Sequence, residues 1–197
     1  GYKSVILLGP IGAGKTYITK QLISQLEKNL IPYKIFNVFP ILVELFGEKP
    51  GVVEEVINPY GRKVKKYTFT DEMLEEGYKE QARRIGKRIR EKDEVIICEV
   101  ATDTKFKVAV KWICDQFKAQ GKEILLLYLQ VPKEVCLERN RRRPDYISSR
   151  EEVFFNHSEN DIKKLAEENG VELKIRRNLN EADAQRIVEE LLQELFD

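Results

Sequence analysis

The sequence predicts an α/β protein, a parallel sheet covered by helices on both faces. Two observations carry this. The strand-like runs "KSVILL", "EVIICE" and "EILLLYL" are apolar throughout instead of alternating, as strands buried on both sides must be. Each is separated from the next by a stretch with apolar residues at helical spacing, the order that builds strand–helix–strand units. A third feature fixes the interest of the fold. Three of the chain's 11 glycines, Gly9, Gly12 and Gly14, fall between the first strand and the first helix.

The elements follow in order. After "KSVILL", Ile18, Leu22, Leu26 and Leu30 recur at helical spacing up to a break at Pro32. "YKIFNVF" reads as a second strand and "PILVELFG" as a short helix ended by Gly47. Tyr78, Ala82, Ile85 and Ile89 mark one face of a long helix that begins near Thr70. "EVIICE" is the third strand. Phe106, Val110, Ile113 and Phe117 give a helix that stops at Gly121, before "EILLLYL". Two helices cover roughly 132–143 and 149–169. "VELKIR" is a last strand, and Ile187, Val188, Leu191, Leu192 and Leu195 mark a terminal amphipathic helix. One segment breaks the rhythm. "VVEEVINPYGRKVKKYTF" carries two β-rich runs around Asn-Pro-Tyr-Gly, which suits a small hairpin or a charged surface loop.

Composition narrows the function. At 197 residues the expectation is one domain spanning 1–197, with 39–70 as an insertion. Basic and acidic residues nearly balance, 34 against 33, so a general polyanion binder is not indicated and any basic site must be local. Cys98, Cys114 and Cys136 are an odd number without C-x-x-C spacing, which argues for reduced, buried thiols over a disulfide framework or a zinc site. No apolar run approaches the roughly twenty residues of a bilayer span, and none resembles a signal peptide, so a cytoplasmic, membrane-free protein is expected.

Gly9-Pro10-Ile11-Gly12-Ala13-Gly14-Lys15-Thr16 matches G-x-x-x-x-G-K-[ST] and stands where that motif must stand, after a buried strand and at the start of a helix. Glycines let the backbone turn with its N–H groups inward, and the helix N-terminus adds partial positive charge, which together cradle phosphate oxygens. Lys15 would reach the β- and γ-phosphates, and Thr16 would place its hydroxyl on magnesium. Tyr17 follows at the rim. No N-K-x-D or strand-linked D-x-x-G indicates a GTPase, and the chain is short for the helical subdomain of an AAA-type ATPase.

Downstream, "VPKEVCLERNRRRP" places Arg139 and Arg143 four apart, on one face of a helix. Like charges at that spacing repel unless an anion lies between them, and a phosphoryl group in transfer is such an anion. Arg142 lies beside them, and pairing with Glu134 and Glu138 is the plain structural role. With the P-loop, this segment resembles the lid region of P-loop small-molecule kinases: nucleoside monophosphate and deoxynucleoside kinases and the polynucleotide-kinase-like group. The resemblance covers most of the chain. It implies a nucleoside-kinase-like α/β/α sandwich with a five-stranded parallel sheet, ATP with Mg2+, and a short helical lid at 139–150 whose Arg139 and Arg143 close over the phosphates. Ser149 and Glu152 would form a capping box restarting the helix after a tip at Pro144-Asp145-Tyr146.

The chain also departs from that family. Val100 follows Glu99 where deoxynucleoside kinases have arginine, and Asn37 stands where they place a catalytic carboxylate. Glu99 and Asp103 remain as candidate bases, Glu99 serving equally as a magnesium-water or P-loop contact. "RRNLNEADA" resembles the loop that packs on adenine, with Asn178 or Asn180 as either a nucleotide contact or a helix cap. His157, near Phe154 and Phe155, and Trp112 read as packing residues. "RRIGKRIR" and "GRKVKK" are basic, with Glu75, Glu76, Glu80 and Glu91 available to neutralise them. The expected activity is ATP-dependent transfer to a hydroxyl or phosphate of a small metabolite, a nucleoside or nucleotide foremost. A polynucleotide 5′ end is the less favoured acceptor, and a nucleotide-binding regulator or nucleic-acid-associated ATPase the alternative.

Overall fold

The computed structural model describes residues 1–148 and 150–196. Its centre is a five-stranded sheet built from β1 (Ser4–Gly9), β2 (Tyr33–Asn37), β5 (Val95–Ala101), β6 (Ile124–Gln130) and β7 (Glu172–Arg177). The strands run in the order β2-β5-β1-β6-β7, and every neighbouring pair in that order is parallel. In β1 all six residues are buried, and alternate side chains serve opposite layers. Ile6 and Leu8 join the core shared with α3 (Asp71–Glu91), α4 (Phe106–Ala119) and α6 (Glu159–Glu168). Val5 and Leu7 join the core shared with α1 (Lys15–Lys28) and α7 (Glu181–Leu195). This period-2 division is the reason the strand reads as uniformly apolar.

The order of strands decides where a site forms. β1 lies between β5 and β6 while the chain leaves it first toward β2, so the connections from the C-terminal ends of β1 and β5 diverge around one crevice. Open α/β sheets bind ligands at such a point.

A second, two-stranded sheet pairs β3 (Val53–Ile57) with β4 (Lys63–Tyr67) in antiparallel register. The hairpin is therefore present. Glu54 faces Lys66 and Glu55 faces Lys65 across it, opposite charges at positions where such pairs stabilise a ribbon. At its tip Asn58 Oδ1 accepts from Tyr60 N at 3.0 Å and Arg62 N at 2.9 Å, and Gly61 takes φ 76°.

Several boundaries differ from the sequence expectation. α1 ends at Lys28, and Leu30, expected on its apolar face, is 90% exposed with φ 55°; the chain reverses there to reach Pro32. Val38 and Phe39 leave the second strand for α2 (Val38–Phe46), because the Asn37 side chain caps that helix by accepting from Phe39 N at 3.0 Å. The helix expected over 149–169 divides into a 3₁₀ turn at Glu151–Phe155 and α6. The capping box that starts α6 is Ser158 with Asp161; Ser149 of the expected box lies outside the described residues. Cys98, Cys114 and Cys136 are free and buried. Among the described residues no helix is long and apolar enough to cross a membrane.

Candidate active site

The glycine-rich turn is shaped by what surrounds it. Gly12 has φ 80° and Gly14 φ 93°, backbone values that side-chain-bearing residues adopt at a cost. Space is equally restrictive: a Cβ on Gly12 would lie 2.2 Å from the Cys136 carbonyl oxygen, and one on Gly14 would lie 2.5 Å from Asn178 Nδ2. The turn closes with Ala13 N donating to Pro10 O at 3.2 Å, and Gly14 then caps α1. Lys15 Nζ donates to the carbonyls of Gly9 and Pro10, each at 2.8 Å. Burial pushes its ammonium down to about 8, opposed by the carboxylate of Glu99.

β5 supplies the acidic side. Its register sets Glu99 opposite Leu7 of β1 and Asn37 of β2, so the carboxylate rises beside the turn, where its Oε1 accepts from Thr16 Oγ1 at 2.9 Å. Asp103 follows the end of β5. Its Oδ1 accepts from Lys105 N at 2.8 Å, and its Oδ2 accepts from the buried Tyr78 hydroxyl. Burial raises the Asp103 carboxyl above its ordinary value, against those two hydrogen bonds. Tyr78 reads in sequence as a core-face residue only; the position of its hydroxyl depends on α3 packing along α4, which brings it to the loop between β5 and α4.

α5 (Lys133–Arg141) supplies the cations. Arg139 donates from Nη2 to Asn178 O at 2.8 Å and from Nη1 to Gly12 O at 3.4 Å, so it is held against the glycine-rich turn. Arg143 was expected on the same helix. The helix stops at Arg141, and Arg143 lies in the turn beyond it, exposed, with its side chain facing the cavity that Arg139 also lines. The pairing expected for Glu138 is with Arg142.

The two asparagines of the loop after β7 take different roles. Asn180 caps α7 by accepting from Asp183 N at 2.9 Å. Asn178, buried, donates from Nδ2 to Ala13 O at 2.9 Å and braces the turn. Tyr17 donates its hydroxyl to Glu181 at the start of α7. Either asparagine fits a cap by type, and nothing local in the sequence distinguishes the brace.

These groups border one cavity of about 490 Å³ that Ile11, Gly12, Gly14, Lys15, Thr16, Glu99, Asp103, Arg139 and Arg143 line on one side. Phe39, Leu42, Phe69 and Leu74 line the other. The hairpin reaches over this region. Asn58 Nδ2 donates to Pro144 O at 2.6 Å, and the Tyr60 hydroxyl donates to Arg141 O. The sequence marks Asn58-Pro59-Tyr60-Gly61 as a turn and carries no sign of that contact.

The remaining candidates are structural. The Tyr128 hydroxyl and His157 Nε2 lie 2.7 Å apart, and the His157 ring packs edge-on against Phe106. The basic stretch on α3 is neutralised from within the helix and from outside it: Glu80 pairs with Arg83 and Arg84, Glu44 of α2 with Arg84, and Glu94 with Arg88.

Phosphate fits this arrangement. The two glycines hold the turn in left-handed backbone at the start of α1, a lysine stands at the turn, and the Thr16 hydroxyl beside the Glu99 carboxylate is a hard-oxygen pair suited to magnesium.

Solved structures share the fold. The tunicamycin resistance protein of Deinococcus radiodurans superposes with a TM-score of 0.57 at 17% identity, over 97% of this chain and 94% of that one. Shikimate kinase from Acinetobacter baumannii gives 0.52 at 16% identity, over 100% and 96%. A sugar kinase from Janibacter sp. gives 0.54 at 13%, over 98% and 94%. The expected resemblance to P-loop small-molecule kinases thus holds at the level of fold. No curated protein matches the sequence. The family model described as AAA domain matches residues 5–167, from β1 into α6, so the P-loop core carries the match and a separate helical subdomain is not among the described elements. Spanning most of the chain, that match makes this protein a member of the AAA_33 family.

Proposed function

We propose that this protein is an ATP-dependent phosphotransferase that moves the γ-phosphoryl group of ATP to a hydroxyl or phosphate of a small metabolite, a nucleoside or nucleotide foremost. The observation that carries the reading is the meeting of three kinds of group on one cavity: the glycine-rich turn with Lys15, the Thr16–Glu99 pair, and Arg139 with Arg143. Phosphoryl transfer needs positioning and charge stabilisation more than covalent chemistry, and these groups supply both.

In this reading the backbone of the turn and Lys15 hold the phosphates of ATP. Lys15 exchanges the carbonyls of Gly9 and Pro10 for phosphate oxygens. Thr16 and Glu99 would hold magnesium, which would supply positive charge against the phosphates. Glu99 is already committed to Thr16, so Asp103 takes the role of base toward the acceptor, with Tyr78 and Lys105 N orienting its carboxylate. Residues 139–150 form the lid, and the insertion at 39–70, which contains the hairpin, forms the acceptor side.

The test is release of ADP from ATP and magnesium with and without a panel of nucleosides, nucleotides and 5′-hydroxyl oligonucleotides. Turnover stimulated by a small acceptor, with a phosphorylated product by mass, is expected. Hydrolysis that no acceptor changes and that yields only free phosphate refutes the assignment.

A further inference from the structure

The cavity is divided by charge. Its cations, Lys15, Arg139 and Arg143, all belong to the turn and to α5 with the turn beyond it, the side given to the phosphates of ATP. Lys15 is held by two carbonyls and Arg139 by two more. The opposite wall comes from α2, α3 and the segment just before α3 and is largely apolar, Phe39, Leu42, Phe69 and Leu74, with the uncharged Asn37 and Tyr78 as its polar members. Among the described residues that line this half, none is lysine or arginine. The groups between the halves are acidic, Glu99 and Asp103, and burial already raises the Asp103 carboxyl. An acceptor phosphate or carboxylate set against this wall would lose its water, gain no lysine or arginine from it and face the Asp103 carboxylate, the arrangement that buried anions avoid.

The same wall suits a flat, uncharged body. Phe39 is 47% exposed, yet its ring is fixed by edge-to-face contacts with Tyr67 at 5.3 Å and Phe69 at 6.3 Å. A half-open ring held at its edges offers a stacking surface at little entropic cost.

We propose that the acceptor is an alcohol without an anionic group, its flat apolar body set against Phe39 and Phe69 and its hydroxyl directed at Asp103. This rests on the phosphotransferase reading and narrows it from hydroxyl or phosphate to hydroxyl. In the step, the alcohol oxygen forms a bond to the γ-phosphorus of ATP as the bond from that phosphorus to the β,γ-bridging oxygen breaks. The hydroxyl proton passes to the Asp103 carboxylate, and the products are ADP and a phosphate monoester.

The experiment compares matched pairs under identical conditions: each common nucleoside against its 5′-monophosphate, glucose against glucose 6-phosphate, and quinic acid against its methyl ester. In every pair that turns over, kcat/KM is expected to be at least about 100-fold higher for the uncharged member, the discrimination of an unpaired buried charge. Introducing a cation into the apolar half, Phe39→Arg, should shift that ratio at least tenfold toward the anionic member. A phosphate- or carboxylate-bearing acceptor used as well as its uncharged partner overturns this inference while leaving the kinase reading intact. A ratio unmoved by Phe39→Arg also overturns it. Loss of transfer to every acceptor, with ATP hydrolysis alone, refutes the kinase reading itself and the inference with it.

Discussion

Replacing Gly12 by alanine separates backbone strain from steric fit in the phosphate-binding turn, because the chain contains its own control. Gly51 has φ 83°, almost the φ 80° of Gly12, but a Cβ at Gly51 meets nothing within 4 Å. Gly51→Ala therefore reports the conformational term alone. That term is about 1–2 kcal/mol for an L-residue in left-handed backbone, offset by about 0.4–1 kcal/mol from the stiffer unfolded chain. A net loss of about 1 kcal/mol follows, with ATP binding unchanged. At Gly12 the new Cβ would sit 2.2 Å from Cys136 O, 2.9 Å from Cys136 C and 3.0 Å from Cys136 Cα. These are backbone atoms of α5, which cannot rotate aside, so the turn or the helix must move by about 1 Å to restore ordinary contact. Overpacking of this kind adds about 1–3 kcal/mol, for a total of about 2–4 kcal/mol. Because Arg139 on that helix donates to Gly12 O, the shift also spoils the cradle, and ATP affinity should fall at least tenfold. Urea unfolding and calorimetric titration with ATP measure both quantities. A Gly12→Ala protein no less stable than Gly51→Ala, with wild-type ATP affinity, would falsify the packing argument.

Other outcomes follow from the same geometry. Lys15, pushed down to about 8 by burial, is largely neutral in the free protein at pH 9 and becomes charged against phosphate. ATP binding should take up a proton there and weaken as pH rises through 8, and titrations in buffers of different ionisation heat should show no such uptake in Lys15→Met. Asp103→Asn should lower transfer by about 100-fold or more at unchanged ATP affinity. In the wild type the acidic limb of the rate profile should be shifted upward from that of an ordinary aspartate, since Asp103 accepts a proton only when ionised and its carboxyl is raised; an unshifted limb removes Asp103 from the role of base. Arg139→Ala and Arg143→Ala should cut the single-turnover rate far more than ATP affinity, and lysine should rescue either poorly because it lacks the planar fork. Unchanged rates in all four variants would return both arginines to the surface. Tyr60→Phe with Asn58→Ala removes the two contacts to Arg141 O and Pro144 O, and amide exchange in 141–146 should speed up while β1 and β5 stay protected; unaltered exchange would show that the hairpin does not restrain that segment.

The sheet and its helices were legible because their signal is local and repeated. A strand buried on both faces must be apolar throughout, as β1, β5 and β6 are, and a helix on such a sheet must carry apolar residues every three or four positions. The glycine-rich turn was legible because it is contiguous: its glycines, Lys15 and Thr16 are neighbours in sequence. Glu99 could be named because it ends a recognisable apolar run, and Asp103 and Arg139 because each follows a recognisable strand, and the sequence by itself brought them that far. Tertiary structure decided what each one touches. Strand order set Glu99 beside Thr16, and the packing of α3 along α4 set Tyr78 on Asp103. The two asparagines after β7 are alike in type, yet Asn178 braces the turn while Asn180 caps a helix, a difference of where each side chain points once β7 is paired. The helix end at Arg141 separated Arg143 from Arg139, and the hairpin tip found the carbonyls of Arg141 and Pro144, 81 and 86 positions along the chain from Tyr60 and Asn58. Such contacts join single residues distant in the chain. They leave no period or spacing in the sequence, and only the packed fold brings their atoms within reach.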